Sequence, residues 1–197
     1  EERLENMLHC RFINPLAGFF LLLIGGTAVP TSIYALDRAR GERTGRVAYL
    51  VFLLAMGVVP LAGNAPTFLL AWELMALASY ALVLHDHDEP GVVRAAWVYA
   101  VMTHAGLASL LAGMLLLSAS TGSLRFADWQ AAAPGLDGAT RSLAWLLLTI
   151  GFASKAGVVP LHVWLPIAHP AAPSHVSALM SGVMIKTALY ALLRFFT

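Results

Sequence analysis

Charge is scarce in this sequence: 12% of its 197 residues are Asp, Glu, Lys or Arg, about half of what a soluble domain carries. Cysteine is scarcer still, because Cys10 is the only one. One thiol cannot close an internal disulfide, a zinc site or an iron–sulfur cluster, so redox chemistry must belong to other chains. No nucleophile elbow, phosphate loop, dinucleotide fingerprint or His-Glu-x-x-His motif occurs. The net charge of +1 gives no electrostatic pull toward nucleic acid. The chain also lacks an initiator Met and the basic-then-apolar opening of a signal peptide, which points to a processed chain or to a piece of a longer protein, the second being the expectation.

Apolar residues make up 59% of the chain and come in runs too long for a globular core. About 20 apolar helical residues cross a bilayer. Six runs qualify: Pro15–Leu36, Val47–Gly63, Pro66–Leu84, Ala95–Ala119, Ser142–Leu161 and Val176–Leu193. In lipid every backbone group must be satisfied within its own segment, so these are helices. The expected fold is all-α, a polytopic membrane helix bundle with about six spans. A polar N-terminal segment (1–14) precedes one transmembrane domain (15–197). The short loop holding Arg38, Arg40, Arg43 and Arg46 is placed on the cytoplasmic side.

A few charges lie inside these spans. Both lysines of the chain, Lys155 and Lys186, are intramembrane, while ten arginines serve loops and ends. Glu73 is the one acidic residue of eleven within a span. Each such group costs roughly 2.5–3.5 kcal/mol to insert, so three cost on the order of 8–10 kcal/mol before pairing. One reading makes them structural ion pairs, although desolvation cancels much of the gain from such pairs. The other makes them an ion path. Burial lets an ammonium release its proton near neutral pH, whereas a guanidinium stays protonated. Lysine inside and arginine outside favours proton handling.

Histidines extend the pattern. His104 lies in the fourth run, and His162, His169 and His175 surround four prolines between Pro160 and Pro173. Lys155, His162 and His169 recur every seven residues, although Pro160 and Pro166 interrupt any helix they would share. His175 and Lys186 are eleven apart, near three helical turns. Gly182 leaves room one turn before Lys186. Broken helices at membrane depth line cavities or lie inside protein, so this stretch marks the expected transport site. The loop His85-Asp86-His87-Asp88 reads as a solvated surface turn; no metal and no cofactor is expected.

The run Gly151–Tyr190 (GFASKAGVVPLHVWLPIAHPAAPSHVSALMSGVMIKTALY) resembles the signature of the antiporter-like membrane subunits of respiratory complex I and its relatives. Phe68–Leu84 (FLLAWELMALASYALVL), together with Tyr99–His104 (YAVMTH), is most similar to the hydrogenase-4 component B and formate hydrogenlyase subunit 3 branch, with Mrp-type antiporter subunits as close cousins. The resemblance implies a fold of about fourteen spans in two inverted repeats, of which this chain would hold the third to eighth. It implies that Glu73 is the buried glutamate of the Trp-Glu-Leu motif and pairs with Lys155 in the broken helix. Lys186 would be the central relay lysine of the Ile-Lys-Thr motif, with His162, His169 and His175 between and beside them.

The function implied is proton translocation in a redox-driven complex of hydrogenase-4, formate hydrogenlyase or NADH:quinone oxidoreductase type. The electron carriers would sit in other membrane and peripheral subunits, and the setting would be the cell inner (cytoplasmic) membrane. The alternative is an Mrp-type sodium/proton antiporter subunit, and a third reading is an architectural subunit with inert buried pairs.

Overall fold

The computed structural model describes residues 15–38 and 43–196. The N-terminal segment 1–14, with Cys10, and the middle of the arginine-rich loop lie outside the described residues. Among those described, the structure consists of helices and turns, with no strand beyond one isolated bridge between Asn64 and Arg125. The helices are α1 (Pro15–Arg38), α2 (Arg43–Leu61), α3 (Ala65–Val83), α4 (Val92–Thr121), α5 (Phe126–Ala132), α6 (Gly138–Ala156), α7 (Leu165–Ala171), α8 (Ser174–Leu179) and α9 (Ile185–Phe196). A π-helical turn, Met180–Met184, joins α8 to α9 into one rod.

Five of these rods are long and apolar enough to cross a membrane: α1, α2, α3, α4 and the α8–α9 rod from Ser174 to Phe195. The sequence led us to expect a sixth, Ser142–Leu161. The corresponding helix, α6, has 19 residues but falls outside that set, because Arg141, Ser142, Ser154 and Lys155 load its two ends with polar groups. It packs against α4 and α9. On the outer faces of the spans, Leu22, Leu54, Leu70, Trp97 and Leu115 are largely exposed, the arrangement expected where lipid or further protein, rather than water, surrounds a helix.

Local chemistry sets the ends of the elements. Asn64 caps α3 by accepting from the Thr67 N–H at 2.9 Å, with Pro66 in the first turn. Asp137 caps α6 by accepting from the Thr140 N–H at 2.9 Å. Gly157 stops α6 in the left-handed region at φ +69°, where a side chain would also collide with Leu165.

The α4–α6 contact is unusually close. A Cβ on Gly151 would lie 2.7 Å from the carbonyl oxygen of Gly106. The small residues allow two hydrogen bonds between the helices, Ser109 Oγ to the Leu147 carbonyl at 2.8 Å and Ser154 Oγ to the Met102 carbonyl at 2.9 Å. This contact fixes the height of Lys155, which follows Ser154.

One end of the bundle is closed by packed rings, including Phe126 with Phe195 (centroids 4.8 Å apart) and Trp72 with Phe152 (5.6 Å). Arg194 lies over the Phe126 ring and donates to Tyr190 Oη at 2.9 Å and to the Pro60 carbonyl at 3.3 Å. It thereby ties the end of α9 to the end of α2.

Candidate functional site

The expected interruption after Lys155 is present. Helix α6 ends at Ala156, turns run from Gly157 to Trp164, and α7 and α8 are separated at Ala172 and Pro173. Pro166 starts α7, where its missing N–H removes nothing, and Pro170 lies near its end. A carbonyl left open by the break is satisfied from within, because Trp164 Nε1 donates to the Ser154 carbonyl at 2.8 Å.

Lys155 is 1% exposed. Its Nζ donates to Tyr99 Oη at 3.4 Å and lies 5.6 Å from the Tyr99 ring centroid and 6.0 Å from that of Trp72. Aromatic faces attract a cation without fixing its proton. Tyr99 in turn meets Ser79 Oγ at 2.6 Å. Glu73, which the resemblance paired with Lys155, makes no direct ion pair with it. Its carboxylate meets His104 instead, with Oε1 3.0 Å from Nε2. Glu73 and His104 sit on neighbouring faces of α3 and α4, whereas Lys155 is enclosed by Trp72 and Tyr99.

The Glu73–His104 contact can share one proton. His104 Nδ1 lies 2.8 Å from the Ala100 carbonyl, which can only accept, so Nδ1 carries a hydrogen. The proton between Nε2 and Oε1 then belongs either to an imidazolium facing a carboxylate or to a carboxylic acid facing a neutral imidazole. Glu73 Oε2 is buried and has no protein partner.

The remaining site residues are dispersed. Lys186 is exposed on the surface of this chain, and its Nζ donates to the Ser181 carbonyl at 2.5 Å. That carbonyl belongs to the π turn, where the widened helix leaves acceptors open. Because the π turn takes up extra residues per turn, the eleven-residue spacing does not put His175 and Lys186 on one face. His175 packs instead against Tyr49, at a centroid distance of 5.5 Å. His169 Nδ1 is 3.3 Å from Ser177 Oγ, and its Nε2 is buried without a protein partner. His162 is exposed in the turn segment, so the seven-residue repeat with Lys155 produces no common helical face. A Cβ on Gly182 would meet Thr27 Cγ2 of α1 at 3.8 Å.

A cavity of about 610 Å³ opens where the ends of α1 and α3 meet the start of α8. Ser32, Arg46, Tyr49, His85, Asp86 and His175 contribute to its wall. Among the described residues no cluster of His, Cys, Asp and Glu could hold a metal ion.

Tyr99 and Ser79 were not singled out in the sequence. Their signal was weak: a hydroxyl in an apolar run carries no charge, although Tyr99 opens one of the segments that carried the resemblance.

Residues 62–197 match the family described as NADH:quinone oxidoreductase/Mrp antiporter, TM. An uncharacterized protein of Mycobacterium tuberculosis is 48% identical over 93% of this chain, and hydrogenase-4 component B of Escherichia coli is 36% identical over 92%. The chain spans 28% and 27% of those two relatives. A chain of the Mrp complex from Dietzia superposes with a TM-score of 0.83 at 25% identity, covering 92% of this chain and 20% of that one. This multi-pass membrane chain belongs to the NADH:quinone oxidoreductase/Mrp antiporter transmembrane family.

Proposed function

We propose that this chain forms one half of a proton path in an antiporter-like subunit of a redox-driven complex in the cell inner membrane, of hydrogenase-4, formate hydrogenlyase or NADH:quinone oxidoreductase type. The observation that carries the reading is Lys155, enclosed at the end of a broken helix and held by a hydroxyl and two ring faces rather than by a fixed carboxylate. An ammonium so held can give up its proton without breaking an ion pair. The Glu73–His104 pair supplies a second site for one proton, and the cavity beside His175 gives the aqueous phase access to the broken segment. Lys186, in α9 and bonded to the π-turn carbonyl of Ser181, is the next carrier, facing protein or water beyond this chain. The domain from residue 15 to residue 197 acts as one unit in this scheme, with other membrane and peripheral subunits carrying the electron-transfer centres.

The test is proton transfer in inverted vesicles carrying the complete protein. Lys155→Ala and Lys186→Ala abolish transfer while the complex still assembles. Lys186→Arg also abolishes it, since a guanidinium keeps its proton. Normal transfer by Lys186→Arg would show that charge, not proton exchange, is what the position needs.

The likeness to the Dietzia Mrp chain favours a second reading, a sodium/proton antiporter subunit. Transfer that depends on sodium would select it.

A further inference from the structure

Tyr99 is 0% exposed and sits where five parts of the chain converge. Its hydroxyl touches Lys155 of α6, Ser79 of α3 and Met184 Sδ of the π turn, the last at 3.5 Å. Its own helix is α4, and its ring packs on Trp164 of the broken segment at 5.1 Å.

The direction of these bonds follows from the acceptors. Ser79 Oγ donates its one proton to backbone carbonyls of its own helix, at 2.6 Å to Met75 and 3.0 Å to Ala76. With that proton committed, Ser79 Oγ is the nearer of two acceptors for the Tyr99 O–H, at 2.6 Å against 3.5 Å for Met184 Sδ, and the contact is assigned as Tyr99 donating to Ser79. That leaves the Tyr99 oxygen as acceptor for the Lys155 ammonium. The result is a polarised chain, Lys155 to Tyr99 to Ser79 to the Met75 carbonyl, in which every donor points away from the lysine. It ends on a carbonyl, so it cannot carry a proton onward; it can only hold the charged form of Lys155 in place.

We infer that Tyr99, backed by Ser79, is a positioning residue for Lys155, a protonation-sensitive latch that accepts from the ammonium and donates to the amine once the proton has left. The inference rests on the proton-path reading above and deepens it. When Lys155 loses its proton, its nitrogen gains a lone pair and has less need of an acceptor. The Tyr99 O–H can then turn from Ser79 to donate to that nitrogen. No bond in Tyr99 or Ser79 is made or broken; only the donor direction reverses. The contact with Met184 links that reversal to the turn whose Ser181 carbonyl holds Lys186.

Tyr99→Phe keeps the ring against Trp164 and removes only the hydroxyl. In inverted vesicles carrying the complete protein we expect proton transfer to fall about tenfold or more, the scale of one hydrogen bond to a charged group. The midpoint of its pH profile, on which the Glu73 carboxylate of α3 also acts, should be displaced as well, with assembly and melting temperature retained. Ser79→Ala should displace the profile in the same sense by less. A purely structural role for Tyr99 would lower the rate without moving the profile, and that result would overturn the inference. So would unaltered transfer by Tyr99→Phe alongside inactive Lys155→Ala, which leaves the proton-path reading standing. Normal transfer by Lys155→Ala would remove both. If Tyr99→Phe failed to assemble, Ser79→Ala decides: a displaced profile supports the latch and an unmoved one overturns it.

Discussion

Gly151 is the position where one methyl group should do most harm. A Cβ there would lie 2.4 Å from Leu110 Cγ and 2.7 Å from the Gly106 carbonyl oxygen. The leucine can rotate away, but the carbonyl belongs to a helix backbone. Ordinary contact begins near 3.4 Å, so α4 must recede from α6 by about 0.7 Å. Overpacking of this kind costs about 1–3 kcal/mol. The functional effect should be larger than the loss of stability. Lys155 lies one turn after Gly151, and its bond to Tyr99 is already at 3.4 Å, near the limit of a hydrogen bond; the same displacement breaks it. Thermal melting of the purified protein, paired with proton transfer in vesicles, measures both effects. Gly106→Ala should be milder, since its new Cβ meets Ser154 Cβ at 3.0 Å and no backbone atom closer than 3.2 Å. Gly63→Ala, with nothing within 4 Å, should be neutral by comparison. Adding Leu110→Ala should not rescue Gly151→Ala. If it did, a side chain rather than the helix backbone would set the separation, and the argument that this close approach positions Lys155 would be refuted.

Two further outcomes follow from individual contacts. Glu73→Gln and His104→Asn should be non-additive in proton transfer, because either removes the same shared proton; a double-mutant cycle with additive losses would separate the two residues. Asp137 is held below its ordinary carboxylate value by hydrogen bonds from Thr140, side chain first and backbone N–H second. A depressed folded-state value means the cap stabilises α6 above the ordinary carboxylate range and is lost as pH falls through the folded-state value. Asp137→Ala should therefore lower the melting temperature at neutral pH, and the difference from the unaltered protein should vanish in acid. A gap that persisted undiminished at low pH would contradict the assignment.

The sequence by itself determined the helices and their breaks, because both are local matters. Long uncharged runs leave no alternative to helix in lipid, and four prolines within Pro160–Pro173 forbid a continuous one. It also marked Glu73, Lys155 and Lys186, since a charge inside an apolar run stands out without any knowledge of its neighbours. What those charges meet was decided by tertiary packing. The spacing along the chain cannot say that Glu73 turns to His104 on the adjoining face of α4, or that Lys155 is enclosed by Trp72 and Tyr99. The π turn moved His175 and Lys186 off a common face by a change in helix pitch that eleven-residue counting assumes away. Tyr99 and Ser79 became visible only in three dimensions: each is an ordinary hydroxyl in an apolar helix until Lys155, 56 residues after Tyr99, is packed against it.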